Sequence, residues 1–168
     1  DAAASSYYSG KKLQLPLYLL AVSTGKRAVG AYYFPASVLY SDKSDGVFRL
    51  QGFMDCSDEV VGASDKNVQP KTKSSYVNAN YQGKQLENTL MRDDFIDFLE
   101  YSRLISNSAV KEMTSGNISP SPIDGACEYC KMGGSCGVTL GKDVEERKTA
   151  SVKCAEIAKI VQKQRKNN

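Results

Sequence analysis

The chain has 168 residues, 41% of them apolar, which is enough for one domain with a real core. No stretch approaches the ~20 consecutive apolar residues of a membrane span, so none is expected. Histidine is absent, which excludes His-based triads, His-containing zinc sites and HNH-type nuclease chemistry. The net charge of +3 is too small to argue for nucleic-acid binding on its own.

The first residue is not Met, and residues 1–9 lack the basic and apolar regions of a signal peptide. The sequence is therefore expected to be cut from something longer. Residues 7–22 predict a helix, with Leu13, Leu17 and Leu20 or Ala21 on one stripe. Gln14 and Tyr18 lie four apart and share a face. Pro16 should kink this helix unless it lies within the first turn. Residues 27–37 are β-branched and aromatic and predict a buried strand. After the turn cluster at 41–46, residues 47–55 predict a second strand paired with it. Residues 57–63 can form one or two helical turns with Ser57 as N-cap.

Residues 64–88 are polar and predict a long surface excursion with a short strand near Tyr76. The strongest helical pattern covers 93–115. Phe95, Phe98, Leu99, Ser102, Ile105, Ala109 and Met113 form one face, and Gly116-Asn117 is the stop. A Pro-containing segment leads to the cysteines, and a final helix is expected over 143–163. From Lys142 onward there are eight Lys/Arg and four Asp/Glu, leaving the preceding 141 residues at −1. A basic tail of this kind can track phosphate, but it is also what a solubilised terminal helix looks like.

The five cysteines are Cys56, Cys127, Cys130, Cys136 and Cys154. Three of them cluster as C-x2-C-x5-C, and the total is odd. That pattern argues for metal ligation in a reducing compartment, hence the cytoplasm, over a disulfide framework. A two-residue gap lets two thiolates converge, and Gly133-Gly134 lets the backbone deliver a third. Three thiolates fall one short of a tetrahedral zinc site and of a [4Fe–4S] cluster. Cys154 is an alternative fourth ligand, although it lies on the expected final helix. Spacing alone does not separate zinc from iron–sulfur, and three reduced thiols without a metal is the bland alternative. Asp42, Asp45, Asp55 and Asp58 have no Lys two residues on and are taken as turn and cap residues.

The segments GKKLQLPLYLLAV, GAYYFPAS, FRLQGFMDCSDEVV and TSGNISPSPIDGACEYCKMGGSCG, in this order, resemble the C-terminal half of AddB/RexB. That family is the nuclease–helicase subunit of bacterial ATP-dependent deoxyribonucleases. The resemblance covers roughly residues 7–138. It includes Gln14-x-x-x-Tyr18, similar to the QxxxY motif of RecB-family PD-(D/E)XK nucleases, followed by the cysteine triplet.

The resemblance implies an α/β fold, a partial restriction-endonuclease-like core with a mixed sheet and flanking helices. It places nuclease residues at 1–138; residues 139–168 lie beyond the resemblance and read as a basic C-terminal helical extension. It implies a Mg²⁺-dependent DNA exonuclease that processes double-strand breaks in complex with a helicase–nuclease partner. Gln14 and Tyr18 are expected on the active-site wall, whereas the catalytic Asp and (D/E)xK would precede Asp1. Cys127, Cys130 and Cys136 would hold a [4Fe–4S] cluster with a fourth cysteine from upstream. The isolated chain is then expected to be inactive, to hold adventitious zinc or nothing, and to dimerise through an exposed sheet edge. Two other functions compete. One is a stand-alone cysteine-based zinc module that grips nucleic acid. The other is a relative of the CRISPR-associated RecB-like exonucleases.

Overall fold

The computed structural model describes residues 2–34, 50–68, 74, 76–77, 80–82, 85–87, 90–117, 119–132, 135–136 and 146–167. Where a single helix was expected over 7–22 there are two, α1 (Ala2–Tyr8) and α2 (Gln14–Val22). Gly10 ends α1 with φ at 79°, a conformation that disfavours any side chain. Pro16 therefore falls in the first turn of α2, where its missing N–H costs no helical bond and no kink results. The buried residues of α2 are Leu15 and Pro16, not the expected stripe; Ala21 is exposed.

The expected strand pair is present. β1 (Gly30–Tyr33) runs antiparallel to β2 (Gln51–Met54), with Gly30 opposite Met54 and Tyr33 opposite Gln51. Residues 35–37 and the turn at 41–46 lie outside the described residues. α3 (Asp58–Ser64) follows, with Ser57 at the N-cap position as expected. The capping hydroxyl makes no cap bond, however, and the Ser57 N–H donates instead to Asp55 Oδ1 at 2.9 Å.

The stretch read as a surface excursion is in part interior. Asp65, Ser74 and Val77 are buried, and Val77 bridges to Leu50 beside β2. Ser74 Oγ donates to Asp65 Oδ2 at 2.9 Å and accepts the N–H groups of Tyr76 and Val77 at 3.1 Å each. A polar segment whose groups are satisfied in this way can go inside. Beyond it, β3 (Asn80–Gln82) and β4 (Gln85–Glu87) form a small antiparallel hairpin.

α4 (Arg92–Thr114) is the backbone of the fold, 23 residues long. It ends as its sequence predicts: Gly116 has φ 76°, and the Asn117 N–H returns to the Glu112 carbonyl at 3.1 Å. Phe95, Phe98, Leu99 and Ser102 are buried, but Ala109 and Met113 are exposed, because no described element covers the last turns. The final helix α5 (Cys154–Asn167) starts later than the expected residue 143. Residues 146–153 are instead non-helical, with Arg147 bridging to Ile123, and 141–145 lie outside the described residues. The Glu156 carboxylate accepts the Lys153 N–H at 2.7 Å and so fixes the helix start near Cys154.

Successive residues of β2 face opposite sides, which gives the two-stranded sheet a core on each face. Phe53 joins Tyr7, Leu15, Leu90, Phe95, Phe98, Leu99 and Ile157; Met54 joins Val60, Val61 and Val77. Phe53 and Phe98 meet edge-on at 4.9 Å, and Tyr7 and Phe98 at 5.3 Å, both within the favourable range for aromatic pairs.

Asp55, expected as a turn residue, is wholly buried at the end of β2. Its Oδ2 lies 3.4 Å from Arg27 and 3.2 Å from Arg92, and Arg92 also donates to the Ala28 carbonyl at 2.6 Å. Burial alone would raise its pKa. The Ser57 N–H and hydroxyl and the two guanidinium groups outweigh burial and hold the carboxyl below its ordinary value.

This packing has two measurable consequences. A Cβ at Gly52 would overlap the Ala31 carbonyl oxygen and stand 2.8 Å from Tyr32 Cα. Gly52→Ala should therefore cost about 2–3 kcal/mol by urea unfolding; a neutral result would contradict the close β1–β2 approach. Because the folded pKa of Asp55 is depressed, its contribution is complete above the unfolded value of 3.8 and is lost as pH falls below it. Asp55→Asn should cost about 2–3 kcal/mol at pH 7. That is less than a fully buried pair would lose, since the arginine side chains are 44% and 35% exposed. The gap between wild-type and variant stabilities should narrow as pH falls below 3.8, read from denaturant midpoints.

Candidate functional site

α2 is held by the burial of Leu15 and Pro16 and packs against both α4 and β1. The opposite face of the helix is therefore turned outward. Gln14 and Tyr18 both stand on that face, Tyr18 at 60% exposure, and Gln14 Nε2 donates to the Tyr18 hydroxyl oxygen at 3.1 Å. Neither side chain is needed for packing. An amide and a phenol presented side by side can donate to a phosphate oxygen or orient a water.

The cysteine loop begins three residues after Asp124. Two short turns fold it back: Cys130 N–H donates to the Cys127 carbonyl at 3.2 Å, and Cys136 N–H to the Met132 carbonyl at 3.0 Å. Cys127 and Cys136 are half-buried and Cys130 is exposed. Burial pushes the Cys127 thiol up, as do the charge of Glu146, its hydrogen bond to that carboxylate, and the nearby Cys130 and Cys136. These three thiols and Glu146 thus share one neighbourhood.

Cys154 does not belong to it. It packs against the main core beside Tyr7, and burial raises its thiol pKa. Cys56 lies elsewhere again, its Sγ 3.4 Å from the Met91 sulfur. Cys127, Cys130 and Cys136 thus lie in one loop, near enough to act on one another's charge, and the other two stand apart. Glu146 carries no signal in the sequence; only the Ile123–Arg147 bridge carries it to the loop.

The segments that lead into the QxxxY helix and into the cysteine loop touch at one point. Lys11, just before α2, donates through Nζ to the Asp124 carbonyl at 3.4 Å. A hollow of about 480 Å³ between the α1–α2 turn, the exposed end of α4 and Arg147 separates the two elements otherwise.

The described residues do not by themselves fit either group that the resemblance implies. Among them no three Cys, Asp or Glu side chains gather at metal-binding distance. Neither the carboxylates of a Mg²⁺ site nor the thiolates of a [4Fe–4S] cluster are assembled among the described residues. No described helix is long and apolar enough to cross a membrane.

If Gln14 and Tyr18 serve a ligand and not the fold, Gln14→Ala and Tyr18→Phe should each change stability by no more than about 0.5 kcal/mol. Leu15→Ala, one residue along the same helix, should cost about 2–4 kcal/mol. Chemical denaturation of the three variants distinguishes the two roles, and a large loss for either surface residue would assign it to packing.

No curated protein matches the chain. A family model described as the PD-(D/E)XK nuclease superfamily matches residues 2–137, a span that takes in α1 to α4, Gln14, Tyr18 and all three clustered cysteines. With a match over most of its length, and an α/β arrangement of helices around a small antiparallel sheet, the chain belongs to the PD-(D/E)XK nuclease superfamily.

Proposed function

We propose that this chain is the C-terminal part of a Mg²⁺-dependent DNA exonuclease subunit of the AddB/RexB type. It would act in the cytoplasm with a helicase–nuclease partner on double-strand ends destined for recombinational repair. Superfamily membership points to nuclease chemistry on nucleic acid. The observation that supports the finer reading is that the QxxxY helix packs on β1, and that Lys11, three residues before that helix, donates to the carbonyl of Asp124, three residues before the first of the clustered cysteines. A stand-alone zinc module would use Cys154, which lies in the core beside Tyr7 and away from the trio.

On this reading the carboxylates that hold Mg²⁺ precede Asp1. A Mg²⁺ ion held by them would supply an activated water and charge stabilisation at the phosphate. Gln14 and Tyr18 form the wall against which the phosphate is held. Cys127, Cys130 and Cys136 take a cluster completed by an upstream cysteine, which pins the two ends of the nuclease region together.

The outer edge of β1 supports the same reading. Val29 accepts the Asp55 N–H, so the alternate residues Gly30 and Tyr32 turn their backbone groups away from β2. An edge of this kind can take the strands that carry the missing carboxylates, or a second copy of the chain when those strands are absent.

The purified 168-residue chain should leave linear duplex DNA intact in Mg²⁺; cleavage would overturn the divided site. The longer protein read from the upstream open reading frame should degrade the same DNA. In that protein Tyr18→Phe or Gln14→Ala should lower kcat by about a hundredfold. An unchanged kcat would remove both residues from the active-site wall. Light scattering of the isolated chain should show dimers, and a monomer throughout would remove the edge-paired copy.

A further inference from the structure

We propose that the outer face of α5, together with Lys26, is a docking surface for the phosphate backbone of duplex DNA. The choice of polyanion rests on the nuclease reading. The surface goes beyond it, because α5 begins past the matched residues 2–137.

α5 carries Lys159, Lys163, Arg165 and Lys166 against Glu156, a net charge of +3. The whole chain also sums to +3, so its other residues balance to zero and the excess sits on this one helix. Ile157, Ala158 and Val161 are buried where α5 packs on α4. At about 3.6 residues per turn, Lys159, Lys163 and Lys166 fall in one row on the opposite side, and all three are exposed. The nearby acids are engaged elsewhere. Glu156 accepts the Lys153 N–H, Asp94 accepts from Gln162, Asp97 faces Gln162 and Arg165, and Glu100 pairs with Arg103. Among the described residues none of the three lysines forms an ion pair.

A fourth cation comes from a distant part of the chain. Arg165 lines a hollow of about 360 Å³ with Arg92, Glu100 and Lys26. Asp55 holds Arg92, Asp97 holds Arg165 and Arg103 holds Glu100, which leaves the exposed Lys26 as the uncompensated charge there. A rise of about 1.5 Å per residue spreads the lysine row over about 10 Å. One strand of duplex DNA offers a phosphate about every 3.4 Å of axis, so the row meets about three of them. Lysine ammonium groups on flexible stems suit such point contacts, which position a protein without reading bases. A bilayer fits less well. Helices that lie on membranes insert an apolar face, and the apolar face of α5 is already packed on α4.

The test is fluorescence anisotropy of a labelled blunt-ended duplex, titrated without Mg²⁺ with the 168-residue chain at a series of KCl concentrations. Binding should weaken with salt, with a log–log slope of about 3 to 4 in magnitude for four phosphate contacts. Changing Lys159, Lys163 and Lys166 together to Gln should weaken binding by about tenfold or more at low salt and cut the slope to about 1. Lys26→Gln should lower the slope by about 1. Lys111→Gln, at the far end of α4, should change neither quantity. The triple Arg variant, which keeps the charge, should keep the slope, and urea midpoints of all variants should match the wild type.

Absence of binding at low salt, or an unchanged slope in the triple Gln variant, would overturn the surface. So would a loss for Lys111→Gln equal to that for Lys26→Gln, which would reduce the effect to diffuse net charge. Tighter lysine-dependent binding to phosphatidylcholine vesicles containing phosphatidylserine would reassign the face to a membrane. DNA degradation by the longer protein tests the nuclease reading separately, so degradation alongside an inert α5 face removes this surface alone.

Discussion

Asp55 is the constraint on which the arrangement of elements depends. Burying apolar surface is not directional, and the aromatic core alone would leave the angles between helices and sheet loosely set. A buried carboxylate is directional, because it must find its partners or cost several kcal/mol. Its partners come from separate parts of the chain. Arg27 leads from α2 into β1, Ser57 stands at the N-cap position of α3, and Arg92 opens α4 while also holding the Ala28 carbonyl. The Arg92 guanidinium then lies 5.9 Å over the Phe95 ring, which joins the charged hub to the aromatic core. One carboxylate thus fixes where four elements begin or end, and with them the direction in which α2 presents Gln14 and Tyr18.

A second polar contact seats α5. Ile157, Ala158 and Val161 are buried, and Ile157 belongs to the same cluster as Phe53 and Phe98 although it lies beyond the matched residues. Gln162 donates to Asp97 Oδ2 at 2.8 Å and to Asp94 Oδ1 at 3.3 Å. Arg165 stands 2.6 Å from Asp97 Oδ1, but at an angle that leaves that oxygen without a hydrogen bond. The pair is therefore a charge contact more than a directed bond. The apolar side chains provide most of the adhesion, and the amide sets the register of α5 on α4.

What the sequence made legible is what local pattern encodes. The alternation at 47–55, the apolar stripe in the first half of α4 and its glycine stop were readable from spacing. The features missed depend on partners distant in sequence. Asp55 meets Arg27 and Arg92 across 28 and 37 residues, so nothing near it distinguishes a buried hub from a turn aspartate. The break at Gly10 went unread because a lone glycine in a helical pattern does not by itself reveal the positive φ that ends α1. Ala109 and Met113 carry the right period but have nothing described above them. Glu146 was unreadable because a two-residue bridge, too short to leave a pattern, carries it to the cysteines.

The two halves of the candidate site are held very differently, and the difference has a consequence. α2 is clamped by buried Leu15 and Pro16, so Gln14 and Tyr18 are presented from a fixed helix. Among the described residues the cysteine loop has no comparable anchor: two tight turns, one bridge and the Lys11 contact to Asp124 hold it, and Cys130 is exposed. Ordering a loop costs conformational entropy, which buried apolar contacts offset for α2 and only a few hydrogen bonds offset here. The presentation of Gln14 and Tyr18 is thus set by packing, whereas the position of the cysteine loop is set by a handful of polar contacts.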